Sequence, residues 1–173
     1  MIEFRRPRAD EAETFAALHV QCWREAYKDI VPAELLAQVT PAKRLPMWRD
    51  ITLNPARIII GAYVDGAAAG LAVAGLPHDS IHDSEDGQLA ALYIRQEYHR
   101  LGIGRALVNR CAAAWLAMGG HSLSLSVFAA NNSSRAFYEA MGARFMHLSE
   151  YIWDGVPLPT AIYIWDDLTK LTP

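Results

Sequence analysis

Apolar residues recur along this chain at two spacings, and the switching between them marks out the elements. Alternating or continuous apolar runs of strand length stand at 1–6, 57–64, 67–76, 89–94, 122–128, 145–153 and 158–165. Two of the joins, Asp65-Gly66 and Asp154-Gly155, are hairpin signals. Helical spacing fills much of the rest. Asp10 followed by Glu13 reads as a capping box opening a helix that runs to about Lys28. Pro32 opens a short helical piece, and Thr40-Pro41 caps another that ends before Pro55. Ile103, Leu107, Cys111, Ala114, Trp115 and Met118 form the apolar stripe of a helix closed by Gly119-Gly120. A further helix is capped near Asn131 or Asn132 and stopped by Gly142. A polar loop, 78–87, precedes the strand ending at Ile94. No repeat or linker interrupts this order. The pattern predicts one α/β domain, 1–173, with a mixed, mostly antiparallel central sheet flanked by helices.

Composition narrows the picture without changing it. With 173 residues, 52% of them hydrophobic, and five tryptophans, the chain is long enough for one packed core. No apolar run approaches the roughly eighteen residues of a membrane span, so no membrane partner is expected. The first residues look like a strand rather than a signal peptide. A net charge of −3 without a basic block argues against nucleic acid as a partner. Cys22 and Cys111 match no metal spacing and give no disulfide framework, so a reducing cytoplasm is the expected location. Trp153 and Trp165, near the closing hairpin, read as core or dimer-contact residues.

Candidate chemistry begins where the 89–94 strand enters His99-Arg100-Leu101-Gly102-Ile103-Gly104-Arg105. Two glycines one residue apart let backbone N–H groups turn toward one point at a helix start, where the helix dipole favours an anion. His99, Arg100 and Arg105 crowd that point. A P-loop would need Gly-Lys-Ser/Thr, and a dinucleotide fingerprint a third glycine where Leu107 stands. What remains is a pyrophosphate seat of neither kind.

The strand at 122–128 then leads into Asn131, Ser134, Arg135 and Tyr138, which helical spacing puts on one face, with Phe137 and Met141 on another. Together the two segments resemble the GNAT superfamily of N-acetyltransferases. The acyl-CoA signature, Gln/Arg-x-x-Gly-x-Gly/Ala after a Leu-Tyr-Val strand, is matched by Leu92-Tyr93-Ile94 and His99 to Gly104. The later pattern is met by Asn131, Ser134, Phe137, Tyr138 and Gly142.

The resemblance implies a splayed strand pair that admits acetyl-CoA, with the pantetheine arm along the backbone of Leu92, Tyr93 and Ile94. His99 to Arg105 would hold the pyrophosphate, and Asn131 and Ser134 the arm. Arg135 would form an ion pair or reach a CoA phosphate. The Tyr138 hydroxyl would donate to the CoA sulfur and act as general acid, with direct transfer to the amine of a small molecule or peptide. Trp23 and Tyr27, four apart on the first long helix, would wall the acceptor pocket. Glu25 and Asp29 could serve a cationic amine from the same helix.

Two departures matter. His99 replaces the usual Gln or Arg. Gln88 stands about where many relatives carry a glutamate base, and a carboxamide cannot take a proton. His82, Asp83, Glu85, Asp86 and Glu150 are the alternatives; a metal reading of His78 and His82 is set aside because neither helix nor ordered loop would converge them. Gln88 keeps alive a non-catalytic acyl-CoA sensor. An exposed final strand would favour a homodimer.

Overall fold

Both hairpin turns form for the same local reason. Asp65 and Gly66 have φ of 49° and 85°, Asp154 and Gly155 of 46° and 78°, the double left-handed geometry that suits a two-residue connection. The protein is described by a computed structural model over residues 1–77 and 87–171. Its strands are β1 (Ile2–Arg5), β2 (Ile58–Val64), β3 (Ala67–Gly75), β4 (Gly87–Ile94), β5 (Leu123–Phe128), β6 (Arg144–Trp153) and β7 (Val156–Trp165). They form one sheet in the order β1-β2-β3-β4-β5-β7-β6, antiparallel except for β4 against β5. The mixed, mostly antiparallel sheet is as the pattern predicts. The exposed edge differs: β7 inserts between β5 and β6, so β6 rather than the last strand lies at the margin.

Helices cover both faces. The layer of α1 (Ala12–Tyr27) and α3 (Pro41–Leu53) buries Phe15, Ala16 and Trp48 against Ile59, Tyr63 and Leu71. On the other face α4 (Ile103–Ala117) buries Leu107, Val108, Cys111 and Trp115. There α5 (Asn132–Ala140) is followed by Met141, whose carbonyl accepts from the buried Trp165 indole at 3.0 Å. A short α2 (Ala33–Gln38) follows Pro32 as expected.

Two local readings are corrected. The Asp10/Glu13 box does not form: a 3₁₀ turn at Ala9–Glu11 precedes α1, and the Glu11 carboxylate caps it by accepting from the Arg8 amide at 2.7 Å. Arg5 grips the same carboxylate with two bonds of 2.8 Å, tying β1 to the helix start. Met118 leaves the stripe of α4, being 56% exposed, because the helix ends at Ala117 and the chain turns into Gly119.

The feature that positions the site lies in the middle of the sheet. Leu89 faces Ala74 and Ala91 faces Val73, so β4 carries one extra residue, Ala90, against β3. Such a bulge bends its strand and strengthens the twist. On its other side β4 pairs with β5 only at Gly87–Leu123 and Gln88–Ser124. Beyond that the two parallel strands separate, and the sheet opens at their C-terminal ends.

Candidate active site

At the C-terminal end of β4 the backbone bends sharply before α4 begins. Arg100 has φ of 63° and Gly102 of 79°, two left-handed residues separated by one. Alternation of this kind turns successive amides inward to form an anion-binding concavity. Ile103, Gly104 and Arg105 follow as the first turn of α4, whose amides have no intrahelical acceptor. The His99 ring closes the approach by donating from Nε2 to the Ile94 carbonyl at 2.9 Å. A Cβ on Gly104 would stand 3.3 Å from Ile94 Cδ1 and from Phe137 Cζ, so this glycine lets α4 and α5 pack close together.

Opposite this turn, the Asn131 side chain caps α5 by accepting from the Ser134 amide at 3.2 Å. Between the two helix starts, and along the opened edge of β4, runs a cleft of about 750 Å³. Leu92, Tyr93, Ile94, His99, Arg100, Gly102, Ile103, Gly104, Arg105, Asn131, Ser134, Tyr138 and Tyr27 all line it. Residues from Tyr27 to Tyr138, more than a hundred positions apart, thus meet in one groove. Leu101 does not reach it and is 54% exposed.

Trp23 stands behind the cleft wall. Its ring packs 5.4 Å from Tyr27 and 6.4 Å from Tyr93, both of which line the cleft. On its far side Trp153 lies 5.4 Å away and Arg44 sits over its face at 5.1 Å. Trp153 is half-buried against the Val31, Leu35, Leu36 and Leu158 cluster and also lines a second, smaller cavity of about 220 Å³, whereas Trp165 is fully buried. Arg135 turns away from the groove: its Nε donates to the Tyr163 hydroxyl at 2.9 Å, and that hydroxyl donates to Glu139 at 2.6 Å. Phe137, expected on another face, lines the cleft.

The electrostatics favour proton donors. Burial, with the Tyr93 hydroxyl nearby, raises the Tyr138 phenol above its usual range. Burial raises Tyr27 well above it, and pushes Tyr93 up to about 12. Cys22 also lines the cleft, which no motif revealed. Burial and then Glu25 push its thiol up to about 12, so it stays protonated. Glu25 faces the cleft with both oxygens engaged, Oε1 by Gln21 at 2.8 Å and Oε2 by the Gln96 amide at 3.1 Å. Gln88 is buried in β4, away from the lining. Asp29 and Glu150 do not line it either; His78, His82, Asp83, Glu85 and Asp86 lie outside the described residues. Among the described residues no three His, Cys, Asp or Glu side chains gather to hold a metal ion, and no helix is long and apolar enough to cross a membrane.

Sequence reasoning missed Cys22, Ala26, Lys28, Gln96, Tyr98 and Ser133 in the lining. For Cys22 and Ala26 a signal existed, two small residues one helical turn apart beside Trp23 and Tyr27.

Residues 13–143 match the model of the Acetyltransferase (GNAT) family. The chain belongs to the GNAT acetyltransferase family. It is accordingly an acyltransferase. An uncharacterized N-acetyltransferase of Bacillus subtilis, YuaI, is 28% identical over 171 residues, which cover 99% of this chain and 96% of that one. The fold is shared with PaiA N-acetyltransferase from Thermoplasma acidophilum, solved with coenzyme A (TM-score 0.69, 19% identity, 93% of this chain and 98% of the other). It is shared as well with yncA of Salmonella typhimurium, solved with acetyl-CoA (TM-score 0.73, 14% identity, 96% and 94%).

Proposed function

We propose that this GNAT protein is an acetyl-CoA-dependent N-acetyltransferase that passes the acetyl group directly to a primary amine of a small molecule or peptide. The observation that carries the reading is one groove joining a parted β4–β5 pair, an anion-binding turn and a phenol held protonated. The amides from Arg100 to Arg105, with the Arg100 and Arg105 side chains, suit a pyrophosphate, and the His99 ring holds the loop in shape. The Leu92–Ile94 backbone offers the parted edge for a pantetheine arm, and Asn131 and Ser134 face it. Tyr138 donates to the leaving sulfur as general acid. Tyr27 walls the acceptor side directly, and Trp23 supports that wall from behind.

Direct transfer fits the protonated state of Cys22, a poor nucleophile for an acyl-enzyme. Glu25 is the one carboxylate among the described residues of the lining, and its oxygens already accept from Gln21 and from the Gln96 amide, so this reading gives it no role as base. The acceptor then reacts from its own neutral fraction and sheds its proton to water.

That same lack favours one second reading, a non-catalytic acyl-CoA sensor. Release of the CoA thiol from acetyl-CoA, followed across amino acids, amines, polyamines, aminoglycosides and short peptides, separates the two. Release dependent on one acceptor class supports the enzyme; acetyl-CoA binding with no release from any acceptor supports the sensor. Self-association belongs to the same proposal. The β6 edge exposes Phe145, Leu148 and Ile152 beside unpaired backbone, which a second copy would cover. Sedimentation of the protein and of a Leu148→Lys variant tests it, dimer and monomer being the expected results.

A further inference from the structure

Behind the cleft, three buried N–H donors gather, none of which closes a hydrogen bond. Arg44 Nε, His19 Nε2 and Trp23 Nε1 are each inaccessible and without a hydrogen-bond partner. They belong to one cluster. The His19 ring meets Trp23 at 5.0 Å and stacks on Tyr93 at 4.9 Å, while the Arg44 guanidinium covers the Trp23 face at 5.1 Å. His19 Nδ1 accepts from the Trp48 indole at 3.1 Å, so in the neutral ring Nε2 must carry the proton. Trp23 Nε1 leans toward the Tyr93 hydroxyl without closing a bond. Buried polar groups are paired in the great majority of cases, and exceptions call for a reason. Here every exception is a donor, and one belongs to a cation.

That cation has no acid among the described residues to answer it. Among the described residues no carboxylate pairs with Arg44, although Arg5, Arg8, Arg49, Arg95 and Arg144 all have one. Arg44 lines the 220 Å³ cavity with Gln38, Val39, Lys43, Trp153 and Asp154. Lys43 adds a second positive charge; Asp154, exposed on the hairpin turn, is the acid of this lining. Arg44 is also close enough to depress the basicity of His19 and to act on the hydroxyl of Tyr93, a residue of the cleft lining. Trp23 stands between the two: it packs on Trp153 and Arg44, which line the small cavity, and on Tyr27 and Tyr93, which line the large cleft.

Resting on the acetyltransferase reading, we propose that this cavity receives the acceptor, and that the acceptor is an amine that also bears a carboxylate. The planar guanidinium presents paired N–H groups that match a carboxylate edge. Val39 and Trp153 offer an apolar wall to the body of the acceptor. The carboxylate seated on Arg44 would direct the amine along Trp23 toward Tyr93. The local pair of cations outweighs the small negative charge of the whole chain, which by itself would favour a cationic acceptor.

The test is a calorimetric titration of the CoA-saturated full chain with matched sets: amino acids, their amides and the decarboxylated amines. The acid of at least one set should bind ~10- to 100-fold more tightly than its amide, the range of a lost charge-assisted pair. Arg44→Gln should abolish that preference, and Arg44→Lys should keep part of it while CoA binding stays intact. Should the variants fail to fold, the matched sets on the wild type still decide. Equal affinity for acid and amide, no binding of any acid, or an unchanged preference in Arg44→Gln overturns the proposal. The two readings fail separately. An acid that binds through Arg44 without being acetylated removes the enzyme and leaves the anion site, whereas turnover indifferent to the carboxylate does the reverse.

Discussion

Tyr138 and the proposed transfer without an enzymic base make a joint prediction at the scale of single residues. Burial raises the phenol, so its donating form persists through and beyond the neutral range. A rate that depends on protonated Tyr138 therefore shows no falling limb below about pH 10, the ordinary phenol value. On the proposed reading no enzymic base takes the amine's proton, so the rising limb belongs to the acceptor. For two amines of different basicity, kcat/KM should rise with pH along each amine's own titration. A single shared inflection near neutrality would instead reveal an enzymic base. Tyr138→Phe should lower kcat about 10²-fold, the low end of general acid catalysis, and leave acetyl-CoA affinity nearly unchanged. Turnover equal to wild type would take the acid role from Tyr138.

At the scale of elements, the two glycines of the α4 turn do different work. Gly102 has φ of 79° and open space around its missing Cβ, so it is needed for conformation alone. Gly102→Ala should cost about 1–2 kcal/mol by chemical denaturation, and Gly102→Asn distinctly less, since Asn tolerates the left-handed region. Gly104 is helical and needed for space. Gly104→Ala pushes on Ile94 and Phe137, so acetyl-CoA affinity should fall more than stability. Equal losses from Gly102→Ala and Gly102→Asn would contradict the assignment. This division explains what the sequence made legible. Turn chemistry and period are local, so Asp65-Gly66, Asp154-Gly155, the glycine pair and the Asn131 cap were readable, and with them nearly every strand and helix. The direction of a side chain at a helix margin is not local. Arg135 sits at the spacing that would face the groove, but Tyr163 and the Ala129 carbonyl draw it to the other side. Trp153 reads as core or dimer contact from its own strand, and its packing on Trp23 of α1 is a tertiary contact that no local pattern announces. The order β5-β7-β6 was equally hidden, because hairpin signals say which strands adjoin and not which one enters the sheet.

For the molecule as a whole, the layer of α1 and α3 is held by two groups that acid would charge or discharge. Burial, and then the Arg44 charge, push His19 down to about 3 from an ordinary 6.5. Its folded form is neutral, so the unfolded chain binds one more proton once the pH drops below 6.5. The stabilisation is complete above 6.5 and lost progressively as pH falls toward 3. The Arg5 hydrogen bond is the main influence pulling Glu11 down to about 2 from 4.5, so its contribution is complete above 4.5 and lost as pH falls toward 2. Acid therefore acts on this layer in sequence, first at the His19–Trp48 bond that joins the two helices, then at the clamp on β1. Between pH 6.5 and 4.5 the His19 step should lower stability with a slope near 1.4 kcal/mol per pH unit, the value for one proton. A His19→Asn variant keeps an acceptor for the Trp48 indole but cannot titrate. It should be less stable at pH 7.5 through lost ring packing, and its denaturation free energy should decline less between pH 6.5 and 4.5, so the gap to wild type narrows. Parallel curves for the two proteins over that window would mean that His19 titrates alike in the folded and unfolded chains.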